Sequence, residues 1–508
     1  MAKILNKNFE DSKLPQSKIT GEEVNMPEIL LGYFIGPFGA VLSSGIFTSI
    51  LQNYFTDVLR LNLGFLTGLQ LMSTIFIIAA NLIVGQLIER TKCMAGKARP
   101  WILLSAFTIS VSSVLMFVVP FQGTMKYIWI AVAYNLFYSV AYPIYSTANS
   151  VLVSVSTRNS QKRGTLAAAG NIAGLGAMGI GSLAFPMLVS FSLKENQYKW
   201  FCTMAVVAVF SAFTIYLQYC YTRERVTEEL FKTAKDSDLE KERISVKKQI
   251  KAAAGEKMWW LVMVFYLLFQ WSGAMKNGSM SYFCKWELDN TFLGTADAWG
   301  ASQSILSIMG AVPMAIAAVV VIPLCNKFGK RNVCAAGMIF GGIGGVIALL
   351  GKDQMIPVAV GVALKCLGSS PVCYMILAML SDVIDYIEKK NSIRTDGFTM
   401  SIYSSIAVAG TPVCNAVFSA LLNWAGYDQT ADIAMGAAAQ NTGVRSVISV
   451  SYIGAETAVI STGWLMLTNI RDFALRMKAI TESPMLRNYR CLQWHRQVLH
   501  RGRPYTWW

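Results

Sequence analysis

FLTGLQLMSTIFIIAANLIVGQLIERTKCMAGKARPW, residues 65–101, holds the alternation that decides the fold. Phe65 to Ile88 contains no Asp, Glu, Lys or Arg, and an apolar run of ~20 residues crosses the hydrocarbon core of a bilayer as a helix. Arg90, Lys92, Lys97 and Arg99 then crowd into a short loop before apolar sequence resumes at Trp101. The same alternation runs along all 508 residues, of which 54% are hydrophobic and 14% charged, well under the ~25% charged of an ordinary soluble domain. Only helices and closed barrels satisfy their backbone in lipid, and these runs are too long for barrel strands. The sequence therefore predicts an all-α membrane protein of twelve transmembrane helices, at 29–57, 65–88, 100–120, 126–156, 165–192, 199–220, 258–286, 299–323, 332–351, 356–383, 398–425 and 446–470.

The longest internal hydrophilic stretch, 221–257, divides these helices six and six. The expected organisation is a tail 1–28, a six-helix bundle 29–220, a charged loop 221–257, a second six-helix bundle 258–470 and a tail 471–508. Lys and Arg gather in the loops that share a side with the N-terminus, which places both termini in the cytoplasm and the chain in the inner membrane. The net charge of +15 is thus a matter of topology, and nucleic acid is not an expected partner. The first 26 residues lack the short apolar core of a cleaved signal. Ten cysteines without C-x-x-C spacing suggest neither a zinc site nor a disulfide framework. No nucleophile elbow, zinc motif or nucleotide loop points to an enzyme, and no cofactor is expected. Basic loops at 89–99 and 326–331 occupy equivalent places in the two halves, as a parallel repeat requires. His495, His500 and Cys491 in the stretch 488–508 have weak metal-ligand spacing, and a basic tail on the anionic membrane surface is the favoured reading.

Inside the helices, polar residues fall on helical spacing. Ser44, Thr48 and Gln52 follow at i, i+4 and i+8 on the first helix, and Gln70, Thr74 and Asn81 share about one face of the second. Tyr134, Tyr138, Tyr142 and Tyr145 form a stripe on the fourth, continued by Asn149. Such groups either line a neutral, hydroxyl-recognising lumen or join helices to one another, and the sequence leaves both readings open. The rings either stack on a partly apolar solute or fill the core. Glu456 lies about 15 Å into its helix and Lys365 nearly as deep; ionisable groups at that depth are candidates for ion or solute coupling. They either pair with one another or carry a proton and an anionic solute. Lys276, near a helix end, is expected to snorkel to the interface. At the cytoplasmic ends Glu89, Arg90 and Arg99, with Asp382, Asp385 and Arg394, are expected to form gating ion pairs. Gly170 to Gly181 and Gly341 to Gly345 allow close helix contact.

Three separate motifs carry a resemblance: Tyr54-Phe55-Thr56-Asp57, Gly96-Lys97-Ala98-Arg99-Pro100-Trp101 after Gly85, and Ser381-Asp382-Val383-Ile384-Asp385-Tyr386-Ile387-Glu388 with Arg394 and Gly397. From roughly Gly32 to Ile470 the chain resembles the glycoside-pentoside-hexuronide:cation symporters of the major facilitator superfamily, which include the melibiose carrier. The resemblance implies sugar uptake coupled to sodium, lithium or protons by alternating access. It also marks departures. Where the family has an arginine and two cation-binding aspartates in helix 2, this chain has Thr74, Ile77 and Asn81. The family's other intramembrane charges fall at Val41, Ala141, near Asn171 and near Val408, and Tyr145 stands where the family carries a sugar-stacking tryptophan. The expected function is a monomeric secondary carrier for a sugar-like solute, with a coupling cation that is a proton rather than sodium. The alternatives are a carrier for an amphipathic non-sugar solute and a membrane sensor that does not transport.

Overall fold

The computed structural model describes residues 17–91, 95–157, 159–194, 196–228, 246–291, 298–391 and 396–468. Its principal helices are α1 (Glu28–Val58), α2 (Leu63–Arg90), α3 (Arg99–Leu115), α4 (Thr124–Ser156), α5 (160–193), α6 (Gln197–Cys220), α7 (Lys257–Trp286), α8 (Trp299–Phe328), α9 (Lys330–Leu350), α10 (Met355–Asn391), α11 (Asp396–Ala425) and α12 (442–468). A short helix, Val246–Ala254, precedes α7. Ten of these helices are long and apolar enough to cross a membrane, and α3 is a shorter apolar helix.

The surface is apolar where a soluble protein's would be polar. Leu71, Met72, Ile75, Phe76, Leu82 and Ile83 of α2 and Val206, Val209 and Phe213 of α6 are all exposed, whereas Gln52, Gln70, Ser211, Gln218, Lys365 and Glu456 are buried. That inversion is the one lipid imposes, since hydrocarbon solvates methyl groups and leaves polar groups to find partners inside.

Helix α1 packs on α5 and α6, and α3 on α6 and α4; α9 packs on α10 and α12, and α7 on α11 and α12. The two groups of helices meet chiefly where α2 lies along α11 and α5 along α8. Small residues set the close approaches. A Cβ on Gly181 would sit 3.1 Å from the Ile46 nitrogen, and Gly300 of α8 lies so near Pro186 and Ser190 of α5 that any Cβ would collide with them.

Helix 3 stops at Leu115 rather than near residue 120. Pro120 disfavours helical geometry in the residue before it, and the Trp129 indole donates to the freed carbonyls of Leu115 (3.2 Å) and Val118 (2.6 Å). Helix 10 runs on to Asn391 beyond the apolar limit at 383, because hydrophobicity marks where lipid ends and not where helical propensity does. Four helices also contain π turns, at Glu28–Ile35 and Tyr54–Val58 in α1, Leu136–Ala141 in α4, Val189–Leu193 in α5 and Val450–Gly454 in α12. Three of them adjoin residues of the site, the setting in which such turns concentrate.

Candidate functional site

The first part of the site is a seal at the end of the molecule where α1 terminates. Asp57, in the π turn that ends α1, forms an ion pair with Lys285 of α7. It also accepts from Thr56 Oγ1 (2.7 Å) and from the Tyr427 hydroxyl (3.3 Å). Thr56 in turn meets the Tyr282 hydroxyl at 2.7 Å, and the Lys285 ammonium lies 4.5 Å from the centre of the Trp299 ring. One layer deeper, Gln52 donates to Ser419 Oγ (2.6 Å) while its carbonyl accepts from Gln70 (2.8 Å), tying α1, α2 and α11 together. Thr67 donates to the Ala416 carbonyl at 3.4 Å and Ser281 to that of Ser49 at 3.5 Å. On the other flank Ser304 donates to the Leu183 carbonyl and Ser307 to that of Ser182 (3.4 Å). Among the described residues, the hydrogen bonds and ion pairs identified between α1–α6 and α7–α12 all lie toward this end. Asp57 stands in the Tyr54–Asp57 motif, whereas Lys285 belongs to no motif; the signal for it in the sequence is a charged residue near the C-terminal end of α7, as Asp57 is near that of α1.

Behind the seal, the neutral residues divide by partner. Gln218 of α6 accepts from the Tyr145 hydroxyl (3.2 Å) and donates to Asn149 Oδ1 (2.7 Å), so Tyr145 and Asn149 are brought together by a residue the spacing argument had not selected. Tyr138 and Tyr142 are partly open. The Tyr138 ring centre is 4.6 Å from that of Tyr134, and Tyr142 stacks on Phe137 at 6.0 Å. Thr48 and Thr74 donate to their own helices, to the Ser44 carbonyl (2.9 Å) and the Gln70 carbonyl (2.9 Å). Ser44 and Thr48 remain partly open and Thr74 is buried. Asn81 donates to Ile77 O (2.9 Å) and accepts from Thr147 (3.5 Å). Ile77 is buried beside it, so this turn of α2 presents an amide and a hydrocarbon in place of two carboxylates. Asn171 is exposed, and Gln52 belongs to the seal.

The third element is ionic and lies wholly within the second group of helices. Glu456 of α12 meets Lys276 of α7 at 3.1 Å through one carboxylate oxygen and Lys365 of α10 at 2.7 Å through the other. The expected pairing of Glu456 with Lys365 is thus present. Lys276, expected to snorkel, instead turns inward: a lysine one helix away from a buried carboxylate gains more from that charge than from an interface some turns distant. The sequence explains the convergence. Gly341, Gly344 and Gly345 of α9 have no side chains, which lets Lys365, Leu364 and Thr457 lie against the α9 backbone and draws α10 and α12 together. Val450–Gly454 widens α12 one turn before Glu456. Two ammonium groups share one carboxylate, leaving one positive charge in excess.

At the opposite end, the Gly96–Arg99 loop is built around Glu224. Its carboxylate accepts the backbone N–H groups of Lys97 (2.9 Å), Ala98 (2.8 Å) and Arg99 (2.9 Å), the free donors at the start of α3. Gly96 has φ +107° and faces that carboxylate directly, leaving no room for a Cβ. Arg99 bonds the carbonyls of Tyr219 (2.8 Å) and Ala95 (3.0 Å) and covers the Tyr219 ring, so here it fastens α3 to α6 within one half. Arg90 is exposed. The side chains of Glu89, Asp382 and Asp385, and Arg394 as a whole, lie outside the described residues, as do the tail 471–508 and most of the charged central loop.

The family described as MFS/sugar transport protein matches residues 32–472. This chain belongs to that family. It is 29% identical over 442 residues to the isoprimeverose transporter of Lactiplantibacillus pentosus, an alignment covering 84% of this chain and 86% of that one. It is 23% identical to a putative glycoside/cation symporter, YagG, of Escherichia coli (strain K12), across 89% and 93% of the two chains. Its fold is shared with the nucleoside transporter NupG, with a TM-score of 0.57 at 12% identity over 87% of this chain and 99% of that one. The carrier is therefore a multi-pass membrane protein and a secondary transporter that moves a small solute by alternating access, an identity consistent with the absence of any catalytic motif in its sequence.

Proposed function

We propose that this carrier imports a sugar-like solute, that it belongs to the glycoside-pentoside-hexuronide:cation branch of its family, and that its twelve helices form two six-helix bundles, 29–220 and 258–470. Both termini are assigned to the cytoplasm on the basic loops, which makes the sealed end the outer one and the state described inward-facing. The supporting observation is the layered seal at Asp57, with partly open polar side chains immediately below it. Ser44, Thr48, Tyr138 and Tyr142 are positioned to meet a solute from the first bundle, and Tyr145 and Asn149 are held in place by Gln218. Hydroxyl and amide partners suit a solute rich in hydroxyls, since each unmet hydrogen bond in a dry site costs about 1–3 kcal/mol. Kinship with a transporter named for isoprimeverose and one named for glycosides points the same way.

Coupling is assigned to the Lys276–Glu456–Lys365 cluster. With the helix-2 cation site replaced by Ile77 and Asn81, sodium has no carboxylate pair there to bind, and a proton taken by Glu456 would free both lysines. Counterflow of labelled mono- and disaccharides into proteoliposomes tests the substrate class: exchange of at least one is expected, and none would refute it. Uphill accumulation driven by an imposed pH gradient, lost in Glu456→Gln while exchange persists, is the coupling result expected. Accumulation driven by sodium instead would overturn the proton assignment.

A further inference from the structure

We infer that Tyr452 is a positioning residue for coupling: its ring responds to the charge state of Glu456 through Lys365 and passes that response, by way of Phe283, to the seal at Asp57. The inference rests on the assignment of coupling to Glu456 made above and adds the link by which the cluster acts on the closure.

The first ground is where the Lys365 ammonium can turn. It lies 2.7 Å from Glu456 Oε2 and 5.8 Å from the centre of the Tyr452 ring. A cation is attracted to an aromatic face within about 6 Å of its centre, so the carboxylate holds this one at the outer limit of that range. The other ionisable groups around the cluster are Lys276 and Cys284 of α7 and Cys366 and Cys373 of α10, while α9 faces α12 with Gly341, Gly342 and Gly345. The thiols are neutral in their ordinary forms, so among the described residues none of these groups replaces the carboxylate as an anionic partner.

The second ground is the difference between the two lysines. Lys276 retains 18% exposure of its side chain, so on losing its counter-ion it can turn to water; Lys365 has no exposure at all. When Glu456 takes a proton, the Lys365 ammonium keeps a charge that is costly inside the helices, and the ring face is the partner that remains. Its approach to Tyr452 is therefore the cluster's response to protonation.

The third ground is what the ring touches. Tyr452 lies in the π turn Val450–Gly454 and packs on Phe283 of α7, with ring centres 4.6 Å apart and planes 29° from parallel, and both residues are buried. Tyr282, beside Phe283 in the chain, meets Thr56 in the seal at 2.7 Å and packs on the rings of Phe418 (5.1 Å) and Tyr427 (5.7 Å). One turn beyond Phe283, the wholly buried Glu287 carboxylate pairs with Arg445 of α12 (2.9 Å) and with Lys352, between α9 and α10 (2.6 Å). These pairs fasten the end of α7 to α12. Close-packed interiors transmit a displacement instead of absorbing it, so a shift of the Tyr452 ring reaches the turn of α7 that carries Tyr282 and Lys285.

The experiment compares two readouts in proteoliposomes holding the full chain: accumulation driven by an imposed pH gradient and counterflow at uniform pH, both with the labelled saccharide that exchanges fastest in the screen above. In Tyr452→Leu, accumulation is expected to fall at least tenfold while counterflow stays within threefold of the parent. Tyr452→Phe, which keeps the ring face, retains at least half of the accumulation. A trifluorinated phenylalanine at position 452 keeps the shape of phenylalanine but has the negative charge of its face withdrawn by fluorine, and it is expected to behave as Tyr452→Leu. Accumulation equal to that of Tyr452→Phe would show that the ring acts by shape alone and would overturn the inference. So would a Tyr452→Leu carrier in which accumulation and counterflow fall together, or in which neither falls. The fluorinated variant decides if Tyr452→Leu fails to reconstitute. A parent that exchanges sugar but accumulates none in a pH gradient removes the coupling assignment and this inference with it, and exchange of no sugar removes the sugar-carrier reading as well.

Discussion

Replacing Asp57 by Asn removes the charge that Lys285 meets in the seal while keeping the shape of the side chain. Lys285 is almost wholly buried, with 4% of its side chain exposed, and Asp57 is 17% exposed. Removing one partner of a fully buried ion pair costs 3–5 kcal/mol. Partial exposure of the acid and the surviving Trp299 ring beside the ammonium reduce this to about 2 kcal/mol. Because the pair joins the two groups of helices only when this end is closed, the loss falls on the closed state alone and shifts the balance toward the open one by roughly 30-fold. Ala416 is buried behind the seal, so in a chain without its native cysteines Ala416→Cys reports opening through its reaction with an impermeant maleimide. Labelling is expected to quicken at least tenfold in Asp57→Asn. The double variant Asp57→Asn, Lys285→Met should label more slowly than the single one, because it leaves no stranded ammonium. Labelling within twofold of the parent, in a variant that reconstitutes normally, would refute the reasoning.

Gly300→Val forces a side chain into the α5 backbone at Pro186; it is expected to abolish exchange and to leave Ala416→Cys readily labelled, and slow labelling would contradict the tight contact of α5 and α8. Glu224→Gln removes the charge that holds three backbone N–H groups at the start of α3, about 2–4 kcal/mol by the usual worth of charged hydrogen bonds. A clearly lower melting temperature in detergent is expected, and an unchanged one would show that the loop is held otherwise. Gln218→Leu leaves the Tyr145 hydroxyl and Asn149 without their partner; a rise in KM of about tenfold with little change in the seal at Asp57 is expected, checked by exchange kinetics beside maleimide labelling.

How far the sequence could be read follows the physics of each signal. Charge-free runs and basic loops located the helices, because lipid penalises any exposed polar group. The end of α3 was misplaced because Val118 and Val119 are as apolar as the helix they follow, and only Pro120 marks the turn. Within the site, helical spacing grouped Tyr134, Tyr138, Tyr142 and Tyr145, but a π turn at Leu136–Ala141 alters the phase midway and leaves the first and last buried and the middle two partly open. The partner that organises Tyr145 and Asn149, Gln218, lies on another helix, and no one-dimensional pattern links it to them. Glu456 and Lys365 were recognisable as costly charges, and Gly341 to Gly345 as a place of close packing. That the glycines are what brings the charges together, and that Lys276 joins them, required the fold.

The central claim is that solute passes only because the two groups of helices part at one end and then at the other. Thr67 of α2 and Ala416 of α11 touch across the seal, so a Thr67→Cys, Ala416→Cys pair in a chain without its native cysteines can be bridged by mild oxidation. Measuring solute exchange before oxidation, after it, and after reduction tests the claim directly: exchange should stop when the bridge is complete and return when it is reduced. Exchange continuing at its original rate with the seal fully cross-linked would contradict the account.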